Sequence, residues 1–161
     1  MQLPKRKPGK YTQLATDHVM TQEKLDELKL ELDKLNKKRP QAAKEVSRLA
    51  ELGDFSENVE YQLAKGRLRG INNAILKLEY RINHANIIAG GNSNIVQLGS
   101  EVTIKNSKGK STYTILGASE TDPSRGIISH QSPLGSALLG HRVGEVVEVD
   151  KIGECEILKI G

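Results

Sequence analysis

The sequence predicts an α+β fold: an antiparallel coiled-coil hairpin of two helices, then a small antiparallel β-sheet domain with one short helix. Two changes of pattern carry this expectation. Apolar residues recur at alternating spacings of three and four over two stretches, and beyond residue 100 they alternate with a period of two. Between these regimes, Ala89-Gly-Gly-Asn-Ser-Asn94 has the composition of a linker.

The elements follow in order. Residues 1–18 are a Pro-, Gly- and Lys-rich lead without periodicity, which predicts a disordered basic tail. From Thr21, the expected N-cap, Leu25, Leu28, Leu32, Leu35, Ala42, Val46 and Leu49 mark the seam of a first helix, interrupted at one position by Arg39. A helix of about 30 residues is roughly 45 Å long, and Pro40 inside it is expected to kink it or break its hydrogen-bond ladder. Tyr61, Ala64, Leu68, Ile71, Ile75, Leu78, Ile82 and Ala85 repeat the spacing. Neither helix can bury its stripe alone, so residues 19–89 form a hairpin, with an acidic tip near 53–61. Residues 90–94 link it to a domain at 95–161. There, Glu101-Val-Thr-Ile-Lys105 and Ser111-Thr-Tyr-Thr-Ile115 flank the turn signal Lys108-Gly109, and stretches at 126–129, 145–149 and 154–160 complete about five strands. Ser132-Pro133 ahead of Leu134–Leu139 reads as a capped short helix with proline at its first position.

Composition narrows the function classes. Of 161 residues, 37% are apolar, 27% charged and 3% aromatic, and no run approaches the length a membrane helix needs, about 20 apolar residues. The opening Met-Gln-Leu-Pro-Lys-Arg-Lys lacks the apolar stretch of a secretory signal. One cysteine, Cys155, excludes a disulfide framework or a Cys-rich zinc site, and its alternating context makes it a core residue. His18, His84, His130 and His141 show no ligand spacing. A cytoplasmic monomer with no membrane contact is expected.

The net charge of +4 is unevenly spread. Residues 90–161 carry seven basic groups against eight acids, so the excess lies in the lead and the hairpin. Over residues 65–81, Lys65, Arg67, Arg69, Lys77 and Arg81 face only Glu79. Such a helix either faces nucleic acid or is simply a solvated face.

The tip, Leu52-Gly-Asp-Phe-Ser-Glu-Asn-Val-Glu-Tyr61, is the most informative stretch. Asp54 with Glu57 three residues later has the spacing of a helix capping box. The same two carboxylates at the end of a rigid probe also suit a hard cation, since Mg²⁺ commonly takes one or two protein carboxylates plus waters and phosphates. Two are too few to hold the ion alone, so any metal here completes a partner's site. Phe55, the chain's only phenylalanine, falls at this exposed tip and suits an anchor into a partner.

Gly53-Asp-Phe-Ser-Glu-Asn-Val-Glu-Tyr61 resembles the tip signature of the Gre family of bacterial transcript-cleavage factors. The resemblance continues through Val96-Gln-Leu-Gly-Ser-Glu-Val102, Ile128-Ser-His-Gln-Ser-Pro133, and Ala137-Leu-Leu-Gly140 with Val143-Gly144. It covers residues 19–161 in matching order; Val59 stands where the family usually has alanine, and residues 1–18 exceed the usual start. The resemblance implies a factor, not itself an enzyme, that inserts its coiled coil into the secondary channel of RNA polymerase. Asp54 and Glu57 would there help hold a Mg²⁺ and a water supplied at the polymerase active centre, with no cofactor of the factor's own, and the polymerase would hydrolyse the 3′ end of a backtracked RNA. Asn58 and Tyr61 would orient the tip or contact the RNA end, and Ser56 would cap helix two or hydrogen-bond near the phosphate. Lys65, Arg67 and Arg69 would contact RNA phosphates.

The same resemblance makes the C-terminal domain FKBP-like, docking at the channel entrance through loops matched by Glu120, Asp122, Pro123, Ser132 and Pro133. The alternative is that Ser132-Pro133 only starts a helix and the acids only sit in a turn. Prolyl isomerase activity is rejected, because Tyr113 is the domain's only aromatic residue. Two other functions compete: a Gre-like inhibitor that occupies the channel, and a sequence-independent nucleic-acid-binding module. Asp54 and Glu57 favour cleavage, and scarce aromatics argue against single-strand stacking.

Overall fold

The structure, a computed structural model, describes residues 17–53, 58–89 and 94–161. It bears out the α+β architecture. Helix α1 (Gln22–Glu51) starts at the expected cap, where the Thr21 hydroxyl oxygen accepts from the Lys24 backbone N–H at 3.2 Å. Helix α2 (Val59–Asn83) runs back along it. Every expected seam residue is buried or half-buried, and Leu28, Leu49, Ala64, Ile75 and Leu78 are almost fully so. Arg39 points to solvent. The ladder break expected at Pro40 is confined to the one bond its missing N–H cannot make, and α1 is continuous through it. Pro40 is exposed, so water can reach the acceptor that its missing N–H leaves unpaired.

The base of the hairpin holds a feature without a periodic signal. Strand β1 (Val19–Met20) pairs in parallel with β2 (Asn86–Ile87), so the residue pairs entering and leaving the hairpin are zipped together. Asn86 N–H donates to His18 C=O at 2.8 Å, and Ile88 N–H to Met20 C=O at 2.9 Å. Met20, Leu28 and Leu78 form a buried cluster there, with Leu25, Leu32 and Ile82 packed around it.

The second half is a five-stranded sheet built from β3 (Glu101–Asn106), β4 (Gly109–Leu116), β5 (Ile127–Ser129), β6 (Val146–Val149) and β7 (Gly153–Ile160), in the order β5-β4-β3-β7-β6. It is mixed rather than antiparallel as expected, because β5 runs parallel to β4, with Thr114 opposite Ile127. Residues 117–126, carrying two 3₁₀ turns (Ala118–Glu120 and Pro123–Arg125), return the chain to the start of the β4 pairing instead of reversing it. Helix α3 (Pro133–Leu138) begins at the expected Ser132 cap. It lays Leu134 and Leu138 on a core of Val102, Ile104, Ile115, Val147, Val149, Cys155 and Ile157. Cys155 is thus the core residue expected, and burial pushes its thiol pKa up.

The halves meet through the lead. Asp17 and His18, assigned to the tail by composition, belong to the folded part: Asp17 accepts from Val19 N–H at 3.0 Å and from Ala118 N–H at 2.7 Å. Glu120 reaches back from the sheet domain and accepts from Thr21 N–H at 2.8 Å and from the Thr21 hydroxyl. Gly117 lets the backbones touch, since a Cβ there would lie 2.0 Å from the Val19 carbonyl oxygen. The rest of the expected tail (residues 1–16) and residues 90–93 of the expected linker lie outside the described residues.

The seam makes a direct prediction. Leu28→Ala should lower unfolding free energy by about 2–4 kcal/mol in a urea titration. Leu30→Ala, at a site 64% exposed on the same helix, should stay within about 0.5 kcal/mol.

Candidate functional site

The tip is where the two long helices are joined. Helix α1 closes with Leu52 N–H donating to Leu49 C=O at 3.3 Å and Gly53 N–H to Ala50 C=O at 3.4 Å. Gly53 sits at φ +79°, the left-handed conformation that ends a helix without Cβ strain. Asp54, Phe55, Ser56 and Glu57 lie outside the described residues. The side-chain oxygen of Asn58 accepts from Tyr61 N–H at 3.0 Å and caps α2. The cap that the capping-box reading assigns to Asp54, and the one open to Ser56, is therefore supplied by Asn58. Asn58 orients the tip side of α2, and Tyr61 follows half-buried in its first turn. Leu52 and Val59, which flank the tip, are 68% and 69% exposed, two large apolar side chains turned to solvent.

The three basic residues expected beside the tip do not share one face. Lys65 is exposed, with its ammonium 5.9 Å from the Tyr61 ring centre, and Arg69 lies one turn further along the same side. Arg67 turns the other way, towards α1, with its guanidinium 3.7 Å from the Glu45 carboxylate. Lys65 and Arg69 thus remain as an exposed basic pair near the tip.

The expected docking residues all sit in the sheet domain, and three of them have structural work. Ser132 caps α3, accepting from Gly135 N–H at 3.0 Å, with Pro133 exposed in the first turn. Asp122 caps the second 3₁₀ turn, accepting from Ser124 N–H at 3.1 Å and from the Ser124 hydroxyl; Pro123 follows, exposed. The Ser124 hydroxyl contact is the main cause holding the Asp122 carboxyl below its ordinary pKa. Glu120 is committed to Thr21 across the joint. Sequence reasoning missed its counterpart Asp17, and nothing in local spacing could pair Asp17 with Ala118, 101 positions away.

The histidines are dispersed. His18 and His84 form a ring cluster with Tyr80 at the hairpin base, where Tyr80 and His84 stack at 4.1 Å. His130 lies 3.7 Å from the Asp17 carboxylate, and His141 Nδ1 is 2.6 Å from Glu145. Among the described residues, no group of three or more His, Cys, Asp or Glu side chains is placed to hold a metal ion, and no helix is long and apolar enough to cross a membrane.

Comparison with known proteins covers both halves. Residues 18–87 match the family model described as transcription elongation factor, N-terminal, and residues 91–161 match transcription elongation factor, GreA/GreB, C-term. Transcription elongation factor GreA of Clostridioides difficile is 40% identical over 152 residues, covering 89% of this chain and 96% of the relative. GreA of Macrococcus caseolyticus is 38% identical over 141 residues, covering 85% and 89%. The crystal structure of GreA factor homolog 1 of Thermus thermophilus shares 27% identity over 88% of this chain and 97% of that one, with a TM-score of 0.41.

Two outcomes test the local geometry. Asn58→Ala should cost about 1 kcal/mol of stability and speed amide exchange in the first turn of α2. Ser124→Ala should raise the Asp122 titration midpoint towards the ordinary aspartate value in a carboxyl NMR titration. Because the folded-state pKa is lowered, the stabilisation linked to it is present above the ordinary pKa and lost as pH falls through the lowered one.

Proposed function

The chain belongs to the GreA/GreB family of transcription elongation factors, and from that premise we propose that it inserts its hairpin into the secondary channel of RNA polymerase and stimulates cleavage of backtracked RNA. One observation carries the reading. In sequence, Asp54 and Glu57 fall between the end of α1 and the start of α2, and those helix ends form the far end of a two-helix rod whose other end is anchored on the sheet domain. Thirty helical residues put the end of α1 about 45 Å from its anchored start. With Asn58 capping α2, the acids are not needed to start the helix. The exposed Leu52 and Val59 give the tip an apolar collar suited to burial in a partner.

The donor chemistry fits a shared Mg²⁺: two carboxylates are too few for a site of their own and enough to complete one already furnished with acids and phosphates. When bound there, such an ion activates a water and stabilises the leaving oxygen. The chain's own part is delivery and orientation. Asp54 and Glu57 would present their oxygens, Asn58 fixes the start of α2, and Lys65 and Arg69 would neutralise phosphates of the displaced RNA 3′ segment without reading its sequence.

The test is RNA cleavage in a stalled, backtracked polymerase complex with Mg²⁺. The chain should accelerate cleavage, and the Asp54→Asn/Glu57→Gln double variant should lose roughly a hundredfold or more of that stimulation while still binding polymerase. Equal cleavage by both would sink the role of the carboxylates. Channel binding without cleavage by either would make the chain an inhibitor.

A further inference from the structure

We infer that Asp17 and Glu120 are positioning residues: their carboxylates, by capping backbone amides across the joint between the halves, set the bearing of the hairpin on the sheet domain and so the place where the tip arrives. The role in cleavage rests on the reading of the tip given above; the role in the joint rests on geometry alone. Each carboxylate binds against the other half or ties its own strand to it. Asp17, just ahead of β1, takes Val19 N–H with one oxygen and Ala118 N–H, in the first 3₁₀ turn, with the other. Glu120, at the end of that turn, takes the backbone N–H and the hydroxyl of Thr21, one oxygen to each. The Thr21 hydroxyl is at once a donor to Glu120 and the acceptor that caps α1 through Lys24 N–H. Glu120 thus holds the first residue of the rod, and its negative charge sits where the helix dipole favours an anion. Gly117 closes the joint, because its missing side chain is what admits the Val19 carbonyl.

Leverage makes this contact matter at the tip. Over about 45 Å, a tilt of only ~10° at Thr21 carries the tip about 8 Å sideways. Reacting groups tolerate errors of about 1 Å before rates fall a hundredfold. Polymerase contacts made by the sheet domain can therefore direct the tip only if the joint does not swivel. The identity of Glu120 as a joint residue also separates it from the neighbouring Asp122 and Pro123, whose loop remains exposed to a partner.

The experiment uses the full chain with spin labels on cysteines introduced at the exposed Lys44 and Lys110, the native Cys155 being buried. Glu120→Ala, alone and with Asp17→Ala, should broaden the distance distribution between the labels. Glu120→Gln, which keeps an acceptor for Thr21 N–H, should stay closer to the parent. In the backtracked-complex assay, Glu120→Ala should lower the cleavage rate at saturating factor about tenfold, with the half-saturating concentration moving less than about threefold, and Glu120→Gln should restore much of the rate. An unbroadened distribution in the double variant overturns the inference, as does a normal saturating rate from a chain whose joint has loosened. Lost cleavage with an unchanged distribution also overturns it, and makes Glu120 a polymerase contact. If the parent chain stimulates no cleavage at all, the reading of the tip fails, while the distances still decide whether the two carboxylates hold the joint.

Discussion

A two-helix hairpin has a single seam, and that constraint governs the rest of this molecule. In a larger bundle a core side chain is surrounded by several helices; here each stripe meets one partner, so many seam residues are only half-buried. The fully buried ones are spread out, with Leu28 and Leu78 near the base and Leu49 and Ala64 near the tip. A rod of this kind keeps its shape through its two ends as much as through its middle. At the tip, the Gly53 reversal and the Asn58 cap satisfy backbone groups that the helices leave open. At the base, two very short parallel strands and two carboxylates do the same.

The single seam also explains the charge pattern. Most of each helix surface faces water, and it carries pairs such as Lys24–Glu27 and Asp33–Lys37 along α1. Such exposed pairs contribute little stability; they keep a long rod soluble. The pairing of Arg67 with Glu45 belongs to the same surface. That leaves Lys65 and Arg69, with Arg48 in the last turn of α1, as exposed basic residues near the tip that no described ion pair takes up.

What the sequence disclosed depended on how local each signal is. The seam rests on contacts repeating every three or four positions, and the Thr21 and Ser132 caps on a side chain reaching three residues on, so all were legible. The turn at Lys108-Gly109 was legible for the same reason. The parallel pairing of β5 and the two-residue strands at the hairpin base were not, because neither is long enough to show a period. The contacts of Asp17 and Glu120 span 101 and 99 positions, and no spacing rule reaches that far. At the candidate site, Asp54 and Glu57 could be singled out from residue type and resemblance, while the cap next to them passed to Asn58, a residue first read as part of the tip's contacts.

The joint has a consequence for how the chain folds as it is made. Asp17 and Thr21 leave the ribosome about a hundred residues before their partners, Ala118 and Glu120. The hairpin can zip early from near-neighbour contacts along its own seam, whereas closing its base must await the first 3₁₀ turn of the sheet domain. During that interval the Thr21 N–H and hydroxyl lack their Glu120 partner, and the nascent rod is a hinged object that becomes a directed one only when Glu120 arrives.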